Sequence, residues 1–146
     1  MRRRLPATSW AAALGMALGA ALAVPVAQAD TACPADAQGF QRLRTADAEI
    51  AVRWEPAELR VGQFFAAEVV ACRAPGPEPV GQIAVDATMP AHGHGMNYRP
   101  KAEATGAGSY RFTGLMLHMP GTWHLTFDLL QGDRRTRLTH EVDLKR

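Results

Sequence analysis

The chain has 146 residues, 47% of them apolar and 21% charged, and a formal charge of +2 that includes Arg2, Arg3 and Arg4. Without those three arginines the balance is −1, which leaves no basic excess to attract nucleic acid or anionic lipid. A chain of this size is expected to form one small domain around one core.

At the N-terminus the three arginines precede an apolar run from about Trp10 to Val24, and Ala27-Gln28-Ala29 then supplies small residues. This is the pattern of a secretory signal peptide over residues 1–29, cleaved after Ala29. It predicts a periplasmic or secreted protein with no membrane attachment after cleavage. The alternative, a retained helical anchor, needs about twenty apolar residues, and this run is shorter and broken by Pro25. Asp30-Thr31-Ala32 ahead of Cys33 lacks the large apolar residue of a lipobox. Residues 30–48 show no clean period and read as a tether, leaving 49–146 as the domain.

Cys33 and Cys72 are the only cysteines, and an even pair in an oxidising compartment forms a disulfide. The rival role for the pair, as copper-binding thiolates or a redox couple, has neither Cys-x-x-Cys spacing nor closeness to other ligand residues.

From residue 49 onward the chain alternates with period two. Ile50, Val52 and Trp54 share one strand face; Ile83, Val85, Ala87 and Met89 share another; Trp123, Leu125, Phe127 and Leu129 a third; Leu138, Val142 and Leu144 a fourth. Phe64 to Cys72 is a nearly continuous apolar strand whose inward face the sequence leaves open. Tyr110 to Leu117 is another, and its inward phase shifts across Gly114, which predicts a bulge there. With a short strand near Lys101–Ala104, about seven strands separated by Gly- and Pro-rich turns predict an all-β fold, a single immunoglobulin-like antiparallel sandwich. If each connection reverses direction, the turns after Met89 and after Leu117 lie at one end and the two cysteines at the other.

Those two turns hold the chemistry. Met89-Pro90-Ala91-His92-Gly93-His94-Gly95-Met96 is followed by Met116, His118 and Met119, with no Asp or Glu in either cluster. Thioether and imidazole together select copper, above all Cu(I), over hard cations, although zinc or nickel could also occupy imidazoles. Neighbouring strand residues on one face stand about 6.6 Å apart, too far to share an ion bonded at about 2.0–2.3 Å. Gly93 and Gly95 are expected to let the loop wrap an ion instead of continuing as a strand. The ligand set read from the sequence is His92, His94, Met96, His118, Met116 and Met89. The bland alternatives are a solvated glycine-rich loop for the histidines and core packing for Met89, which is in the inward phase of its strand. His124 is expected on the surface, and His140 at a partly buried edge.

The pattern Met89-Pro90-x-His92-Gly93-His94-Gly95-Met96-Asn97, followed by Gly108-x-Tyr110 and Met119-Pro120-Gly121-x-Trp123-x-Leu125-x-Phe127, resembles the YtkA-like domain family and its FixH-like relatives over roughly Pro56 to Leu144. The resemblance implies a small exported or membrane-tethered β-sandwich. His92, His94, Met96 and the His118-Met119-Pro120-Gly121 turn would be its functional positions. FixH-like members are associated with copper oxidase assembly; this chain departs from them in lacking a convincing retained membrane helix. The expected function is therefore a periplasmic copper-binding protein that carries, buffers or delivers copper, its partner a copper-receiving or copper-donating envelope protein. The alternative is a metal-free interaction module of a cell-envelope complex. No nucleophile-base-orienter set is visible, so no enzyme is expected.

Overall fold

The computed structural model describes residues 33–34 and 38–145. The segment expected to be a signal peptide, and its expected cleavage point after Ala29, lie outside the described residues. Among those described, no helix is long and apolar enough to cross a membrane.

The described residues form nine strands, most of them built on period-two alternation: β1 (Gln41–Arg44), β2 (Glu49–Glu55), β3 (Phe64–Arg73), β4 (Gln82–Met89), β5 (His94–Gly95), β6 (Lys101–Gly106), β7 (Ser109–Met116), β8 (Gly121–Gln131) and β9 (Arg134–Leu144). They form a five-stranded sheet in the order β1-β2-β3-β7-β6 and a four-stranded sheet in the order β5-β4-β8-β9. Strands with one apolar face bury it by stacking two such sheets. Ile50, Phe65, Phe112, Trp123, Phe127 and Leu138 meet between them. The fold is the all-β antiparallel sandwich expected, with nine strands against about seven; the two additional ones are β1 and β5.

β1 corrects the reading of residues 30–48 as a tether. Its residues pair with β2 from Gln41 opposite Val52 to Arg44 opposite Glu49, and Arg42 and Arg44 both bind the Glu49 carboxylate, at 3.0 and 3.1 Å. Solvent exposure of this edge removes any apolar period, so nothing in the residue pattern announced it. Just before it, Phe40 packs with Ala51 and Val70, against which Cys33 and Cys72 also pack. The segment thus covers part of the five-stranded sheet's outer face. That cover explains why Phe64–Cys72 is apolar throughout: Phe65, Ala67 and Val69 face the main core, while Val70 lies under the strap.

The bulge at Gly114 is present. Phe65 pairs with Leu115 and Ala67 with Phe112, so two steps on β3 oppose three on β7, and Gly114 takes the left-handed conformation at φ 79°. Register also fixes the poles. Phe64 opposes Met116 at one end of β3, and Arg73 opposes Glu49 at the other. Cys33 and Cys72 are joined beside that second end, their Cα atoms 5.0 Å apart.

On the outer face of the four-stranded sheet, Asp128 accepts hydrogen bonds from Arg137 Nε and Nη2 at 2.7 and 2.8 Å and from Arg135. The Arg137 hydrogen bonds, then those of Arg135, outweigh burial and hold its carboxyl at about 2 instead of 3.8. This stabilisation is present above the unfolded-state value and is lost as pH falls through about 2. Asp128→Asn should cost on the order of 1–2 kcal/mol at neutral pH, after screening of the half-exposed guanidinium groups. Urea unfolding of both proteins should show the difference shrinking as pH falls below 4.

Candidate metal centre

β4 carries Met89 inward and hands the chain to one 3-10 turn, Pro90–His92. Gly93 follows in the left-handed conformation at φ 65°, and its N–H donates to the Met89 carbonyl at 3.0 Å. The chain then doubles back. His94 and Gly95 pair with Met89 and Thr88, and the Met96 N–H donates to the Ala87 carbonyl at 2.9 Å. The expectation that the glycines would keep this loop out of the sheet is thus corrected: a single reversal at Gly93 suffices, and β5 continues the ladder. One consequence is that His94 stands directly opposite Met89 and shares its inward face, while His92 is left exposed on the turn.

The second cluster approaches from β7. Leu117 is buried and its carbonyl accepts from the Gly62 N–H at 2.9 Å. After it the chain leaves the strand phase, and the Trp123 indole N–H donates to the Met119 carbonyl at 3.0 Å, closing the turn. Gly121 sits at φ 120°, and a Cβ there would lie 3.0 Å from the Met89 methyl. Glycine therefore allows this turn to settle on Met89.

The two clusters meet. The His94 and His118 rings stack with centroids 5.2 Å apart, and both stand edge-on to the indole of Trp123, at 5.8 and 5.3 Å. Trp123 is fully buried and forms the floor beneath them. His92 lies at the rim, its ring 5.8 Å from that of His94. His94 Nδ1 is 3.4 Å from the Gly95 carbonyl. His118 Nδ1 is buried with no hydrogen-bond partner.

That orphaned nitrogen tests whether the residues fit a metal. A buried polar atom without a partner costs roughly 1–3 kcal/mol. Water would need about 2.9 Å to satisfy it, whereas a metal ion bonds an imidazole nitrogen at about 2.0 Å. The nitrogen has no partner within the fold, a metal ion could satisfy it, and the second imidazole is at hand.

The methionines divide. Met89 is 1% exposed and lies in the core beneath the pair. Met96 and Met119 are partly buried against the core. Met116 pairs with Phe64, whose ring faces solvent, and so points to the outer side of the five-stranded sheet, as its strand phase predicts; His118, which the phase puts on that same outer side, is corrected, since it stands against the buried indole of Trp123. His118 turns the other way because β7 ends at Met116. Among the described residues, the group of three His, Cys, Asp or Glu ligand atoms lying within 4.8 Å of one another is Cys33, Glu49 and Cys72, in which the disulfide already occupies both sulfurs. Gathering His92 with His94 and His118 thus requires the exposed His92 ring to swing inward. The strand pattern marks Trp123 only as a core residue; its place two positions after Gly121, in the inward phase, is the signal that it underlies the turn.

The remaining histidines lie elsewhere. His124 is on the outer face, 3.4 Å from Glu141. His140 stacks on Trp54 with centroids 5.8 Å apart, and burial pushes its imidazole below the ordinary value. The neutral ring is therefore favoured in the fold, and its contribution is full above the unfolded-state value of about 6.5 and lost as pH falls through the folded value. The urea midpoint should drop between pH 7.5 and 5, and His140→Gln should reduce that drop.

The YtkA-like family model matches residues 43–128, more than half of the chain. The chain belongs to the YtkA-like family. The YtkA-like match begins within β1 and ends in β8, earlier at both ends than the motifs alone implied, and it contains both His/Met turns. No curated protein and no solved structure matches the chain.

Proposed function

We propose that this YtkA-like domain binds copper, as Cu(I), between the β4–β5 turn and the β7–β8 turn, and carries, buffers or delivers it in the periplasm or outside the cell. His94 and His118 are the central ligands, His92 closes the site from the rim, and Met96 supplies a thioether; Met89, packed below, is the reserve sulfur. The observation that carries the reading is the buried, unpaired Nδ1 of His118 beside the stacked ring of His94. Imidazole and thioether without a carboxylate favour copper over hard cations. A site open at His92 suits hand-over by ligand exchange with an envelope protein, and the disulfide is compatible with an oxidising compartment. No catalytic step forms part of the proposal.

The second reading, a metal-free interaction module, has its own support. Phe64 and Tyr98 are 54% and 45% exposed and pack edge to face with centroids 5.2 Å apart, an apolar patch of the type found at protein contacts. Titration with Cu(I), Cu(II) and Zn(II), followed by tryptophan fluorescence, separates the two. The copper reading expects Cu(I) to bind most tightly and to quench Trp123. A folded domain indifferent to all three ions would leave the interaction module.

A further inference from the structure

At the histidine pole, the outer face of the five-stranded sheet carries an aromatic pair that the fold leaves uncovered. Phe64 opens β3 opposite Met116, the last residue of β7, and the Tyr98 ring packs edge to face against it. Both rings are exposed. They also lie close to the imidazoles along the chain. Tyr98 follows His94 by four residues and Met116 precedes His118 by two. Even fully extended backbone therefore keeps the Tyr98 Cα within about 14 Å of that of His94, and the Met116 Cα within about 7 Å of that of His118.

Two cations border this pair. Arg99 follows Tyr98 directly. Lys101 stands opposite Thr113 on β7 and shares its outward face, because the next residue on that strand, Phe112, fills the core. Among the described residues, each of the other nine arginines donates to a carboxylate or a carbonyl. The Arg99 and Lys101 side chains are exposed, with neither an ion pair nor a hydrogen bond. The next outward position on β6, Glu103, stands opposite Arg111, which binds Glu55. Unmet positive charge thus borders the aromatic pair.

We propose that Phe64, Tyr98, Arg99 and Lys101 form the docking face for the copper-exchange partner, a protein that presents acidic side chains around an apolar contact. This deepens the copper reading, on which it rests, by giving the partner its surface chemistry. An apolar centre with a charged rim divides the work between affinity and steering, and an acidic partner answers both cations. A second copy of this chain seated on the same patch would bring Arg99 and Lys101 toward their own equivalents. Anionic membrane surfaces draw clusters of about four to eight basic residues, whereas two stand here.

The test uses a synthetic methionine-rich acceptor peptide flanked by glutamates, compared with lysine-flanked and serine-flanked forms of the same peptide. Cu(I) transfer from the loaded protein, read by stopped-flow recovery of Trp123 emission, should be about tenfold faster to the glutamate form, an advantage that falls as sodium chloride rises from about 20 to about 200 mM. Arg99→Glu with Lys101→Glu should cancel the advantage. Phe64→Ser with Tyr98→Ser should slow transfer to the glutamate form about fivefold. Chelator competition should find Cu(I) affinity unchanged in both variants, since none of the four residues is a ligand. Mixing copper-free protein with the glutamate peptide should shift the 15N NMR signals of residues 62–66 and 96–101 saturably, which reads docking apart from copper. Equal transfer to the three peptides, or rates and shifts unaltered in the variants, would overturn the docking face. So would self-association of the native protein, or binding to phosphatidylglycerol vesicles, that is lost in the same variants while the peptide causes no shift. A protein that shows the shifts but binds no Cu(I) would instead overturn the copper reading.

Discussion

Replacing His94 and His118 together by alanine should lower Cu(I) affinity about a hundredfold, roughly 2.8 kcal/mol, with the domain still folded. Each imidazole contributes one bond to a small ligand set, and loss of one such side chain is expected to cost about tenfold. The two residues lie on different turns, 24 positions apart in sequence, yet their rings are stacked at 5.2 Å. His118→Ala alone should therefore weaken binding about tenfold. His92→Ala should do less, because that ring is exposed and must swing to reach the ion. Competition against a chromophoric Cu(I) chelator measures all of these, and circular dichroism checks folding. Affinity indifferent to His118 would mean that the β4–β5 turn binds alone.

Loss of the Cys33–Cys72 bond should be the largest blow to stability. The bond closes a loop of sequence separation 39, and the chain-entropy model gives about 4 kcal/mol for a loop of this size. It also fastens the strap that carries Phe40 onto Ala51 and Val70. Reduction, or paired Cys33→Ser and Cys72→Ser changes, should lower Tm on the order of 15 °C. Cu(I) affinity of the remaining folded protein should be unchanged, since the bond lies at the other end of β3 from the Phe64–Met116 rung. A coupled loss of affinity would contradict the separation of the two poles.

The main strands were legible because one face of each is dry: Ile83, Val85, Ala87 and Met89 alternate with small or polar residues, and Trp123, Leu125, Phe127 and Leu129 with polar ones. The phase shift at Gly114 was readable for the same reason. β1 and β5 were not, because neither buries an alternating face; β1 is an exposed edge, and β5 is two residues set by the reversal at Gly93. In the site, residue type and strand counting were enough to bring the two clusters to one end. They did not reveal that pairing with Met89 turns His94 inward, that His118 leaves the outward side it would share with Met116, or that Trp123 underlies both imidazoles. Those facts depend on register, which a single sequence specifies only through contacts between distant segments.

X-ray absorption at the copper edge of the Cu(I)-loaded protein, compared with its His118→Ala variant, addresses the shared site most directly. Mixed nitrogen and sulfur scattering in the native protein, with the nitrogen contribution falling in the variant, is the predicted result. An unchanged spectrum in His118→Ala, or scattering from sulfur alone, would contradict a copper site built by His94 and His118 together.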